Sequence, residues 1–69
     1  MKHIYCIEIL FEGMHPEIID KVKDLGDEII LIPISEYTKL HIHSENYQEV
    51  LNAVKDYTIL NQKIDDNLI

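Results

Sequence analysis

Residues 37–44 have the sequence Tyr-Thr-Lys-Leu-His-Ile-His-Ser, in which apolar and polar side chains alternate. Such alternation predicts a β-strand with one buried face. Side chains two positions apart along a strand point to the same face of the sheet. Leu40 and Ile42 therefore share one face. His41 and His43 share the other, so this strand presents two imidazoles side by side.

A second alternating segment, residues 3–11, contains the only cysteine of the chain. One face of this predicted strand is strongly apolar and comprises Tyr5, Ile7, Ile9 and Phe11, and the other carries Cys6, Glu8 and Leu10. If the two strands are neighbours, a thiol, two imidazoles and a carboxylate converge on one face. These are the side chains that bind zinc in proteins.

Two helices are predicted between the strands. The first begins at His15-Pro16-Glu17, where proline suits a first turn, and Gly26 follows its predicted end. The second follows Ser44 or Asn46 as the N-cap and carries an apolar stripe at helical spacing. This stripe consists of Val50, Leu51, Val54 and Tyr57.

Two further strands complete the pattern, at residues 28–33 and 59–65. The element order β-α-β-β-α-β predicts an α+β fold, a ferredoxin-like two-layer sandwich with two helices on one face of a four-stranded sheet. We expect residues 1–69 to form this single small domain. In this topology we expect strands 1 and 3 to form a parallel central pair, with strands 2 and 4 at the edges.

The predicted face opposite the helices is the open face of the sheet, and it carries Cys6, Glu8, Leu10, Lys39, His41 and His43. On this face we expect a zinc site formed by Cys6, His41 and His43, with Glu8 as the fourth ligand or as a residue that orients a histidine. The residue types alone leave other interpretations open. A solvated His-x-His alternation, a cysteine that packs as a small apolar residue and a thiolate nucleophile are the alternatives.

Charge and size limit the function. The chain of 69 residues has 13 acidic residues, six lysines and no arginine, giving a formal net charge of −7. It therefore lacks the basic patch that nucleic acids or anionic membranes require. No targeting or membrane-spanning segment is evident, which favours a cytoplasmic location. Residues 28–33 are apolar on both faces, which indicates cover on both sides, and we expect a homodimer to provide it.

Several motifs together resemble one known family, the middle domain of the ATP-binding component of bacterial fatty acid kinase, which is also called the dihydroxyacetone-kinase-like or DAK phosphatase family. The matching motifs are Tyr5-Cys6-x-Glu8, Leu25-Gly26-Asp27, Lys39-x-His41-x-His43-Ser44-Glu45-Asn46, Glu49-Val50-Leu51 and Lys63-Ile64-Asp65. They follow the family order through nearly the whole chain. Tyr47-Gln48 departs from the pattern, because the family usually has proline and glycine there.

The resemblance implies zinc coordination by Cys6, His41 and His43, participation in dimerisation, and kinase-family subunits as further partners. In that family the kinase domain and the domain that engages the fatty-acid-carrying subunit flank this one. This chain contains neither, so we expect no phosphoryl transfer from it alone. Whether it is a natural small protein or an excised domain is left open. The expected role is a metal-binding, dimerising interaction or regulatory module. An ACT-like domain that senses a small ligand is the alternative, and a metal-dependent hydrolase is a more distant one.

Overall fold

The computed structural model describes residues 3–66. Its elements are β1 (Tyr5–Glu12), α1 (Ile18–Val22), β2 (Asp27–Ile34), β3 (Tyr37–Ser44), α2 (Tyr47–Ala53) and β4 (Ile59–Asp65). The strands form one sheet in the order β2-β3-β1-β4, and both helices pack against the same face of it. The α+β, ferredoxin-like prediction is confirmed.

The central strands β1 and β3 are adjacent, as expected, but they run antiparallel. The expectation of a parallel pair is therefore wrong. The connection through α1 returns the chain so that β2 runs in the direction of β1 without adjoining it. The turn at Ser35 and Glu36 then reverses the chain, so that β3 is antiparallel both to β2 and to β1. The two faces of the sheet are unaffected, because alternation along each strand does not depend on its direction.

Both helices are shorter than the sequence predicts. The first was expected to begin near residue 15 and the second to continue towards Tyr57, yet both regions form turns with hydrogen bonds between residues three apart. Examples are Ile18 N–H to His15 C=O and Tyr57 N–H to Val54 C=O. Such turns commonly extend helix ends. Within residues 3–66, no helix is long and apolar enough to cross a membrane.

The core lies between the helices and one face of the central strands. Nine apolar side chains are essentially inaccessible to solvent: Ile7, Ile9, Phe11, Ile18, Val22, Leu40, Ile42, Val50 and Val54. The alternation in β1 and β3 predicted the sheet side of this core correctly. Burying one aliphatic or aromatic side chain contributes about 1.5–3 kcal/mol, so this two-layer packing is the main source of stability.

Strand β2 does not have the cover on both faces that its sequence predicts. Leu31, opposite Leu40, packs against the core, whereas Ile30, Ile32 and Ile34 are 49%, 45% and 44% exposed. The physical reason is that two short helices on one side of the sheet cover one face only. The open face of β2 therefore presents a strip of isoleucines to solvent.

Replacing Asn46 with alanine tests the start of α2. The Asn46 side-chain oxygen accepts hydrogen bonds from the backbone N–H groups of Gln48 and Glu49, at 3.1 and 3.3 Å. Asn46→Ala removes this cap, and we expect it to lower the free energy of unfolding by about 1 kcal/mol in urea denaturation. Asn52→Ala, at an exposed position of the same helix, is the matched control and should leave stability unchanged or slightly raised. Equal losses in the two variants would contradict the capping role.

Candidate metal centre

The candidate site is formed by two rows of side chains that cross the sheet on its open face. Residues directly opposite each other in antiparallel strands point to the same side of the sheet. The first row, from β2 to β4, is Asp27, His43, Cys6 and Asp65. The second is Ile30, His41, Glu8 and Lys63. The register of β1 and β3 thus brings the cysteine and both histidines to the centre of the sheet.

Three potential ligands lie within bonding range of one ion. Cys6, His41 and His43 each offer a ligand atom, and these atoms lie within 4.8 Å of one another. The Nε2 atoms of the two histidines are 3.1 Å apart, and the Cys6 Sγ is 3.9 Å from His41 Nδ1. Zinc bonds of about 2.0–2.3 Å place tetrahedral ligand atoms roughly 3.3–3.8 Å apart. The Cys6 distance is measured to Nδ1 of His41, the nitrogen that also lies nearest Glu8, so binding through Nε2 of His41 requires these partly buried side chains to rotate.

Glu8 lies beside this cluster and contacts one of its histidines. Its Oε2 is 3.4 Å from Nδ1 of His41, a long contact at a partly exposed position. Donation from an Nδ1–H group to Glu8 leaves the lone pair on Nε2, the atom that faces His43. A carboxylate in this relation to a histidine fixes its tautomer and ring orientation, which is the usual arrangement around metal-binding histidines.

The electrostatic surroundings of Cys6 disfavour a free thiolate. Partial burial raises the pKa of the Cys6 thiol, the negative charges of Glu8 and Asp65 raise it further, and Lys63 offsets part of the shift. A nucleophilic cysteine requires the opposite, a lowered pKa. The metal-free site therefore holds a protonated thiol at neutral pH, which argues against a cysteine nucleophile.

The chain that enters β2 is held tightly against the end of β3. A Cβ atom placed on Gly26 would overlap the backbone carbonyl oxygen of His43, so only glycine fits there. Gly26 was expected to end the first helix, but α1 ends four residues earlier, and its role is this close approach. The buried Ser44 hydroxyl donates a hydrogen bond of 2.7 Å to the Leu25 carbonyl and closes the same junction.

An irregularity in β2 follows this junction. The pairing shifts between Asp27 and Ile30, so that three residues of β2 span the distance that two residues span in β3. Glu28 within this bulge has φ of 55°, a left-handed conformation that costs a residue with a Cβ roughly 1–2 kcal/mol. The bulge places Asp27 opposite His43, where an uninterrupted strand would place Glu28.

A cleft of about 450 Å³ opens beside His43 at this end of the sheet. Its lining is mostly polar and acidic and comprises Ile4, Asp24, Leu25, Gly26, Asp27, His43, Ser44, Glu45, Asn46 and Glu49. His43 is the one residue of the candidate metal centre that lines this cleft.

The site residues predicted from the sequence are largely brought together. Cys6, His41 and His43 converge, while Glu8 lies beside His41 and outside the set of three. Sequence reasoning assigned no role to Asp27, which shares a row with His43 and Cys6. Only the L-G-D resemblance singled it out, and the bulge that aligns it has no recognisable sequence signal.

Comparison with known proteins identifies one family. The model of the FakA-like middle domain of fatty acid kinase matches residues 2–67, which is nearly the whole chain. No curated protein matches the sequence.

The raised pKa of Cys6 predicts slow alkylation at neutral pH. In the metal-free protein, the pH profile of the iodoacetamide reaction should lie at higher pH than that of a short cysteine peptide, because only the thiolate reacts. Glu8→Gln removes one of the charges that raise the pKa and should shift the profile to lower pH. Glu12→Gln, at the exposed end of the same strand, should leave it unchanged. A parent profile at or below that of the peptide would contradict the assignment.

Proposed function

The chain belongs to the family of FakA-like middle domains of fatty acid kinase, and from that premise we propose that it is a zinc-binding, dimerising interaction module without kinase activity of its own. The observation that carries the proposal is the convergence of Cys6, His41 and His43 within 4.8 Å on the open face. The interaction partners are a second copy of the chain and kinase-family subunits.

The donor set favours zinc over the other common metals. One thiolate and two imidazoles suit zinc, whereas magnesium and calcium prefer oxygen ligands. The facing Nε2 atoms of His41 and His43, 3.1 Å apart, need a proton or a cation between them to avoid opposing lone pairs. Cys6, His41 and His43 would hold the ion, and bound zinc would supply a cross-link between β1 and β3.

Glu8 is assigned the orienting role. Its contact with Nδ1 of His41 directs Nε2 towards the ion, and its carboxylate lies outside the set of three ligand atoms. The fourth coordination position is then available to water or to a group from outside the chain. A cross-link of this kind matters at this size, because a domain of 69 residues buries a modest fraction of its surface.

The isoleucine strip of Ile30, Ile32 and Ile34 supports self-association. Its members are 44–49% exposed and lie on β2, an edge strand of the sheet that residues 3–66 form. A soluble protein seldom leaves a contiguous apolar strip on a strand edge in water. A two-fold dimer that buries this strip is the simplest arrangement.

The alternative function, small-ligand sensing of the ACT type, has one observation in its favour. The cleft of about 450 Å³ beside His43 is large enough for a small polar molecule. Stoichiometric zinc in the purified protein favours the metal-binding module. Binding of a small ligand without metal would favour the sensor.

Loss of a ligand tests the metal site. Free zinc at one hundred times Kd should stabilise the parent by about 2.7 kcal/mol, which raises Tm by roughly 10–20 °C in a domain of this size. Loss of a residue that only orients a ligand weakens metal binding by roughly 10- to 100-fold. Because Cys6→Ser and His41→Ala each remove a ligand itself, each should weaken zinc binding by more than this. The measurement is competition with a chromophoric chelator, and affinity should fall as pH is lowered because the Cys6 thiol must lose its proton.

His3→Ala is the matched control, because His3 is exposed and lies outside the cluster. It should bind zinc as the parent does. A parent protein whose Tm does not change with zinc, or a His41→Ala variant with parental affinity, would disprove the metal-binding function.

A charge in the isoleucine strip tests dimerisation. Ile32→Glu places a carboxylate opposite Lys39, a favourable cross-strand pair, so the monomer should remain folded. We expect the parent to sediment as a dimer at micromolar concentration and this variant to sediment as a monomer, because a dimer would have to bury the charge. Leu60→Glu, at a similarly exposed apolar residue of β4, is the control and should remain dimeric. A monomeric parent would refute the proposed dimer.

A further inference from the structure

The two histidines of the candidate metal centre differ in the side chains that contact their ring nitrogens. His41 has Glu8 at its Nδ1, 3.4 Å away, and faces His43 through Nε2. His43 faces His41 through its own Nε2, so its Nδ1 edge turns away from the cluster. Among residues 3–66, the structure shows no ion pair or hydrogen bond between the Asp27 carboxylate and the His43 ring. A metal-binding histidine almost always donates its other ring N–H to a carboxylate, a carbonyl or water.

The register supplies a carboxylate for each histidine. Glu8 is directly opposite His41 on β1, and Asp27 is directly opposite His43 on β2. The other neighbour of His43 in its row is Cys6, a candidate ligand itself. In directly opposed pairs the Cβ atoms are about 4.5–5.5 Å apart, which lets an aspartate carboxylate reach an imidazole nitrogen. The register thus gives each histidine a carboxylate neighbour on the adjacent strand, but only Glu8 contacts its histidine, at 3.4 Å.

The backbone holds Asp27 in this place at a cost. The bulge in β2 contains Glu28 in the left-handed region, with φ of 55°. Gly26, on the other side of Asp27, approaches the His43 carbonyl so closely that no side chain would fit. Strained residues persist where the surrounding structure fixes them, and they concentrate at functional sites. Here the close approach and the bulge together align Asp27 with His43.

We propose that Asp27 is a positioning residue of the metal centre: in the zinc-bound protein its carboxylate turns to accept a hydrogen bond from Nδ1–H of His43, its partner across the strands, and directs Nε2 to the ion. Asp27 acts on His43 as Glu8 acts on His41, so the two rings are oriented from opposite sides. The inference rests on the proposed zinc binding. Asp27 and His43 both line the cleft of about 450 Å³ at this end of the sheet.

The test compares two aspartates that line the same cleft, of which only Asp27 lies opposite a histidine in the sheet. Asp27→Ala should weaken zinc binding by about 10-fold or more, the effect expected for an orienting partner. Asp24→Ala removes the same charge from the same cleft, at an exposed position that has no pairing with a histidine, and should change affinity far less. Asp27→Asn retains an acceptor oxygen for Nδ1–H and should lie closer to the parent than to Asp27→Ala.

The tautomer of His43 gives a second readout that a general structural or charge effect would not move. Long-range proton–nitrogen NMR of the zinc-bound parent should show His43 as one tautomer, with its proton on Nδ1. In zinc-bound Asp27→Ala, His43 should no longer be restricted to this tautomer, whereas the tautomer of His41 should be unchanged. Equal losses in Asp24→Ala and Asp27→Ala, parental affinity in Asp27→Ala, or an Asp27→Asn variant as weak as the alanine would each overturn the positioning role. If any of these is seen while the parent binds zinc, the metal site stands and the inference fails. A parent that binds no zinc overturns both.

Discussion

The antiparallel register between β1 and β3 is the constraint on which the rest of the structure depends. On the helix side it opposes Ile7 to Ile42, both fully buried, and on the open side it opposes Cys6 to His43. Because side chains alternate strictly between faces, the pairing that seals the core also assembles the candidate ligands. A slip of one residue would exchange the faces, placing a thiol and imidazoles in the core and isoleucines in solvent. The buried apolar face therefore holds the candidate metal centre in register without any contribution from a metal.

The two-layer architecture leaves one face of the sheet without covering helices. Two helices of five and seven residues cover the central strands on one face, and nothing among residues 3–66 covers the other. That open face is not uniformly polar. It combines the Cys6, His41 and His43 cluster with the isoleucine strip, and Ile30 of the strip lies directly opposite His41. A dimer that buries the strip would therefore lie next to the candidate metal centre, so the proposed zinc binding and self-association would share a surface.

The sequence predicted the features that depend on local pattern. Alternation identified β3 and β4 with correct bounds and assigned the two faces correctly, so the convergence of Cys6 with the histidines could be predicted. Strand direction was predicted wrongly because it depends on how many times the chain reverses, which alternation does not record. The alignment of Asp27 with His43 was beyond prediction, since it depends on a bulge at Glu28, a residue type with no particular preference for positive φ. Helix ends were misjudged because three-residue turns satisfy the same sequence signals.

The charges around Cys6 act in opposite senses on the free thiol and on a bound cation. Partial burial raises the pKa of the thiol, and Glu8 and Asp65 raise it further, so the metal-free thiol stays protonated and unreactive at neutral pH. Once a divalent cation replaces that proton, the same carboxylates face net positive charge at the ion and stabilise it, because the charge of the metal dominates the local field. The acidic surroundings thus disfavour the thiolate alone but favour the thiolate with its ion. In a chain with a formal net charge of −7, this makes the open face suited to a cation and unsuited to a free nucleophile.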